Sequence, residues 1–134
     1  LRWLTTSAVY EITPQNALIP VVKAQTIEKP KPTIEKPKDL FYGEPVLKKA
    51  CSCESWGVPN KEPRQFKNGK VLRGEVNQND VGACQINETV WLKTAKKKGL
   101  DIEGSLPDNI AMAKYIKSVQ GMGAWTWSFS CWSK

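Results

Sequence analysis

The chain reads as an α+β domain, mainly helical, and three observations predict it. Segments 44–57, 88–99 and 105–121 each repeat apolar residues at helical spacing and close on a glycine. Between the first two lies a stretch rich in Gly, Asn, Pro and Lys, whose short alternating runs suit turns and a small antiparallel hairpin. Residues 1–39, by contrast, are broken by prolines and sustain no apolar period. At 134 residues, with 40% of them hydrophobic, the chain has room for one modest core and an appendage.

Residues 1–25 form an N-terminal segment, expected to be extended, with scattered apolar side chains interrupted by Pro14 and Pro20. No run approaches the roughly twenty apolar residues of a membrane span. Residues 26–39 then repeat one unit, Thr26-Ile-Glu-Lys-Pro-Lys31 and Thr33-Ile-Glu-Lys-Pro-Lys38, joined by Pro32. Prolines at this density favour extended polyproline geometry and alternating charges keep it solvated, so the segment is a semi-rigid linker. The folded domain is expected over residues 40–134.

Its first helix is framed by Pro45 in the opening turn and Gly57 just past the end. The apolar stripe is Leu47, Ala50 and Cys51, and the next member at that spacing is Glu54. A carboxyl on such a stripe is pushed toward low dielectric, which raises its pKa and lets it donate a proton near neutral pH. The competing reading turns the helix slightly and points Glu54 to water, as most glutamates do. Residues 59–80 follow as loops with a hairpin closed at Asn68-Gly69, a strong turn pair.

In the run Asn79-Asp-Val-Gly-Ala-Cys-Gln-Ile-Asn87, Gly82 lets backbone approach a neighbour closely. Gln85 and Asn87 are two apart, so on a strand their amides project to one face, where they can bond sugar hydroxyls and N-acetyl groups. The second helix spans Glu88 to Lys98 and stops at Gly99; its Trp91 suits the core or the face of a sugar ring. Ser105-Leu-Pro-Asp108 is a capping-box pattern opening a third helix with Met112, Tyr115, Ile116 and Val119 as its buried face. Gly121 ends that helix. The tail from Ala124 to Trp132 is an aromatic cluster in which Trp127 and Trp132 read as packing residues.

Composition excludes whole classes of chemistry. With no histidine, Ser-His, Cys-His and His-metal mechanisms have no base or ligand. The net charge of +7 is spread along the chain; the one tight run, Lys96 to Lys98, reads as a solvated helix end, and no nucleic-acid motif accompanies it. Cys51, Cys53, Cys84 and Cys131 are an even set in a small domain, which fits two disulfides in an oxidising compartment, with three pairings open. Cys51 and Cys53 lie two apart on a helix and do not face each other. The spacings lack the Cys-x-x-Cys knuckles of a zinc site, so no metal and no cofactor is expected.

Read together, these pieces resemble the lysozyme-like superfamily. Cys53-Glu54-Ser55 is similar to the Cys-Glu-Ser opening of bacterial resuscitation-promoting factors and to the helix-ending Glu-Ser of lytic transglycosylases. Asp80-Val-Gly-Ala-Cys-Gln-Ile-Asn87 resembles the Asp-x-Gly-x-x-Gln-Ile-Asn motif of c-type lysozymes. Gly121-Met-Gly-Ala-Trp-Thr-Trp127, with Cys131 after it, resembles their C-terminal Gly-Met-x-Ala-Trp stretch. The likeness covers residues 45–132, in the family's order. It implies a lysozyme-like fold with a small β-hairpin region behind the extended Pro/Lys-rich segment, and cleavage of the β-1,4 bond between N-acetylmuramic acid and N-acetylglucosamine.

By the same resemblance Glu54 is the general acid, and Gln85, Asn87, Trp125, Tyr115 and Trp91 are the substrate-binding candidates, with Trp125 helping Glu54 keep its proton. Cys53 would pair with Cys131 as in the bacterial relatives, leaving Cys51 for Cys84. Asp80 is the second catalytic candidate: a hydrolase uses it as nucleophile or charge stabiliser. In a lytic transglycosylase the substrate's own hydroxyl attacks and Asp80 is structural; as a bare sequence feature, Asp80 is also a common turn residue. Two departures stand out, a longer Glu54-to-Asp80 spacing than in c-type enzymes and Cys84 at a position usually aliphatic. The expected partner is the peptidoglycan glycan strand, met by a monomer outside the cytoplasm, with no nucleic acid and a membrane or cell-wall tether through the N-terminal segment. The alternative is a carbohydrate-binding or structural wall protein that kept the fold without turnover.

Overall fold

The computed structural model describes residues 39–134, and the expectations for the N-terminal segment, most of the linker and the tether lie outside them. The described residues fold as α+β, mainly α, with two small two-stranded antiparallel sheets. Among them, no helix is long and apolar enough to cross a membrane.

Helix α1, Pro45–Trp56, starts with Pro45, whose missing N–H costs nothing in a first turn. It stops where Gly57 takes φ 79° and its N–H bonds the Cys53 carbonyl. Leu47, Ala50 and Cys51 are wholly buried, as the stripe predicts. Ser52, Cys53 and Ser55 are buried too, because the following loop folds back over the helix. Ser52 Oγ donates to the Val58 carbonyl (2.5 Å) and accepts from Lys61 N (2.9 Å), while Ser55 Oγ accepts from Arg64 N (3.2 Å).

Strands β1 (Phe66–Lys67) and β2 (Lys70–Val71) form the expected hairpin, with Asn68 and Gly69 both at positive φ. Strands β3 (Asp80–Val81) and β4 (Ile86–Asn87) form the second, and Arg73 bridges to Val81 between the two sheets. Here the structure corrects the sequence reading: Gly82 to Gln85 make a turn, so Cys84 is not on a strand and Gln85 does not share a strand face with Asn87. Gln85 sits at φ 50°, held by its own side chain, whose Nε2 donates to the carbonyls of Gly82 (3.0 Å) and Leu72 (3.4 Å).

Asn87 caps helix α2 (Glu88–Lys97), its side chain accepting from Thr89 N and Val90 N. Ser105 caps helix α3 (Leu106–Gln120) by accepting from Asp108 N. The buried face of α3 is Asn109, Ile110, Met112, Ala113 and Ile116; Val119, expected inside, is 53% exposed because the face drifts around the helix by its last turn. Gly121 turns the chain directly into a 3₁₀ segment, Gly121–Ser128, broken at Trp125, and then into the short helix α4, Phe129–Trp132. One apolar core joins α1, the β3–β4 turn, α3 and Trp125. Two disulfides fasten α1 to its surroundings, Cys51–Cys84 to the β3–β4 turn and Cys53–Cys131 to α4.

Candidate active site

A cleft of about 1240 Å³ runs between the β region on one side and α2, the end of α3 and the 3₁₀ segment on the other. It exceeds the roughly 300–1,000 Å³ typical of small-ligand pockets and suits an extended chain. Glu54 lines it from the last turn of α1, Asp80 from β3, and Gln85, Asn87, Trp91 and Trp125 from around them. Six of the sequence candidates therefore share one cavity.

Glu54 is half-buried, and its carboxyl is held above the ordinary carboxylate range. Burial is the largest cause, since low dielectric penalises the anion. The hydroxyl of Ser128 opposes it, donating to Glu54 Oε2 at 2.5 Å and favouring the charged form. The charge of Asp80 adds to the upward push, so the two carboxyls feel each other across the cleft. Asp80 is itself raised by burial, opposed by the polar Asn87 side chain beside it, which favours the charged form. Asn87 thus does two jobs, capping α2 and steadying Asp80.

Trp125 is buried, 3% exposed, with its indole N–H donating to the Cys84 carbonyl at 2.9 Å. That bond fixes the ring where the β3–β4 turn meets the cleft wall. Trp91 is partly buried on the core and also lines the cleft. Tyr115 is a correction: it does not line the cleft but packs on the core, perpendicular to Trp91 at 6.3 Å between ring centroids, with Lys98 over its ring. Its helix position is that of a core-flanking residue, and Trp91 stands between it and the cavity.

Trp127 is a second correction. Expected to pack, it is 100% exposed and lines the cleft, just beyond the break in the 3₁₀ segment at Trp125. Trp132 does pack, with its indole N–H on the Trp125 carbonyl (2.9 Å). Ser128 was not singled out in the sequence; it lies 74 positions from Glu54, and only the folding of the tail across α1 brings them together. Glu75 is exposed and also lines the cleft. Among the described residues, no group of three ligating side chains is placed to hold a metal ion.

The arrangement can deliver a proton from Glu54 into a large open cleft and places a second carboxyl within electrostatic reach. No protein-family model, curated protein or solved structure matches the chain.

Proposed function

We propose that this domain is a peptidoglycan glycosidase on a lysozyme-like fold, cleaving the β-1,4 bond between N-acetylmuramic acid and N-acetylglucosamine. One observation carries the reading: a half-buried glutamate with a raised pKa, at the wall of a polymer-sized cleft that it shares with an aspartate. Protonated Glu54 gives its hydrogen to the glycosidic oxygen as the C1–O bond breaks, and the leaving sugar departs as an alcohol. Positive charge then develops on the ring. Asp80, which raises the Glu54 pKa through its own charge, is suited to stabilise that ring or bond to it until water completes hydrolysis. Glu54, now a carboxylate, takes the proton of that water.

If the substrate's own 6-hydroxyl attacks instead, the same acid serves as base and the product is a 1,6-anhydro sugar. Purified sacculi digested with the protein and analysed by mass spectrometry separate the two routes, reducing ends marking hydrolysis. The test of the proposal is Glu54→Gln. It should lose at least about a hundredfold in lytic rate, the general acid's ordinary contribution, while still binding walls. A Gln variant that clears walls as fast as the parent overturns the enzymatic reading. The two disulfides are compatible with an oxidising compartment, which is where such a substrate lies.

A further inference from the structure

The β side of the cleft carries four cations, Arg64, Lys67, Lys70 and Arg73, but they are not equivalent. Arg73 is neutralised, reaching Glu88 at 2.8 Å and Glu103 at 3.5 Å. The other three have no ion-pair partner within 4.0 Å among the described residues. Lys67 and Lys70 are register partners flanking the Asn68-Gly69 turn, so their side chains leave the same face of the hairpin about 5 Å apart at Cβ. Like charges directly opposed in this way destabilise a hairpin. Nothing in the packing requires them, since both are exposed.

Arg64 is built differently and points to the same use. Its guanidinium lies 3.7 Å over the ring of Trp56, and its Nε donates to the Ser55 carbonyl at 2.9 Å. Stacking and that one bond fix the plane while the terminal nitrogens keep their donors, an arrangement pre-organised for a carboxylate. Lys61 stands 4.4 Å over the same indole and adds to the positive field. Trp56 and Arg64 line the same cleft as Glu54, and the two hairpin lysines continue this cationic wall.

We propose that Arg64, Lys67 and Lys70 form a carboxylate-binding subsite that grips the acidic peptide arms borne by the glycan strand as it lies in the cleft. The inference rests on the glycosidase reading and names the substrate form: peptide-substituted strands with free carboxylates rather than bare sugar. A neutral oligosaccharide gives these three side chains nothing to pair with. A peptide arm gives them carboxylates along the same edge that the sugar backbone follows. Phosphate-rich polymers and nucleic acids would meet the same charges, but their backbones offer no reason for the cations to sit in a cleft with Glu54.

The experiment compares two ligands differing only in charge, a peptide-bearing disaccharide with free carboxylates and its carboxamide counterpart. Binding is measured by calorimetry at low and physiological salt on Glu54→Gln protein, so no turnover intervenes. The parent cleft should prefer the carboxylate form by roughly five- to tenfold, weakening as salt rises. Adding Lys67→Gln and Lys70→Gln together should remove most of that preference, and Arg64→Gln the remainder. The lysine pair should leave the melting temperature unchanged or higher, since it relieves repulsion, which confirms that the fold is intact. No preference in the parent, or a preference that survives all three changes, overturns the proposal. So does tighter binding of a single-stranded DNA oligomer than of the carboxylate ligand. Because the readout is binding, failure here is separate from failure of the glycosidase reading, which lysis by Glu54→Gln protein alone would expose.

Discussion

Two neighbours act on the Glu54 proton in opposite senses, and each can be removed without touching the acid. Ser128 donates to the carboxylate and favours its charged form, whereas the charge of Asp80 disfavours it. Ser128→Ala should therefore move the Glu54 titration upward and Asp80→Asn should move it downward, both read by carboxyl NMR against pH. Ser128→Thr keeps the hydroxyl and should restore the parent midpoint, which marks Ser128 as a positioning residue and not a merely structural one. Stability follows from linkage. The folded pKa of Glu54 lies above the unfolded value of 4.5, so the folded state holds the proton longer. Its contribution is complete below pH about 4.5 and is lost as pH rises through the folded pKa. Glu54→Gln should accordingly raise the melting temperature near pH 7 and leave it little changed near pH 4. Glu54 was legible in the sequence because a helix stripe exposes a misplaced carboxyl. Ser128 was not, because its partner is set by tertiary folding alone.

At the level of elements, the β region is pinned to α3 and the turn before it by two buried amides rather than by strand length. Gln65 donates through Nε2 to the carbonyls of Ile102 (2.8 Å) and Glu103 (2.9 Å) and accepts from Ala83 N (2.9 Å). Asn109 of α3 donates to the Val81 and Ile102 carbonyls and accepts from Cys84 N, each at 2.8–3.0 Å. Both side chains crowd Gly82, at φ 80°, where an added Cβ would meet Asn109 Nδ2 at 2.2 Å and Gln65 at 2.6 Å. Gly82→Ala should cost at least about 2 kcal/mol in urea unfolding, and Asn109→Ala a similar amount through stranded backbone groups. The close approach at Gly82 and the Asn68-Gly69 turn could be read from residue type. The turn from Gly82 to Gln85 could not, since Gln85 reaches positive φ only through its own side-chain bonds to Gly82 and Leu72. Val119 was misplaced for a related reason: periodicity finds a helix face but not where the neighbouring elements stop covering it.

For the molecule as a whole, helices, caps and the order of elements were legible because Pro45, Gly57, Gly99, Ser105 and Gly121 punctuate them. The cleft was less so: Trp127 was assigned to packing and turned outward, and the lysines of the hairpin carry no spacing that marks a wall. The disulfides close loops of 33 and 78 residues, worth about 4 kcal/mol each if unfolded-chain entropy sets their value. Thiol counting under denaturant should find none in the oxidised protein, and reduction should lower the melting temperature sharply. The position of one bridge has a more pointed effect. Cys53 immediately precedes Glu54 and Cys131 follows Ser128 by three residues, so a single covalent link holds this hydrogen-bonded pair in register. With both thiols reduced, no covalent link ties the tail to the helix, and the Ser128–Glu54 contact rests on packing alone.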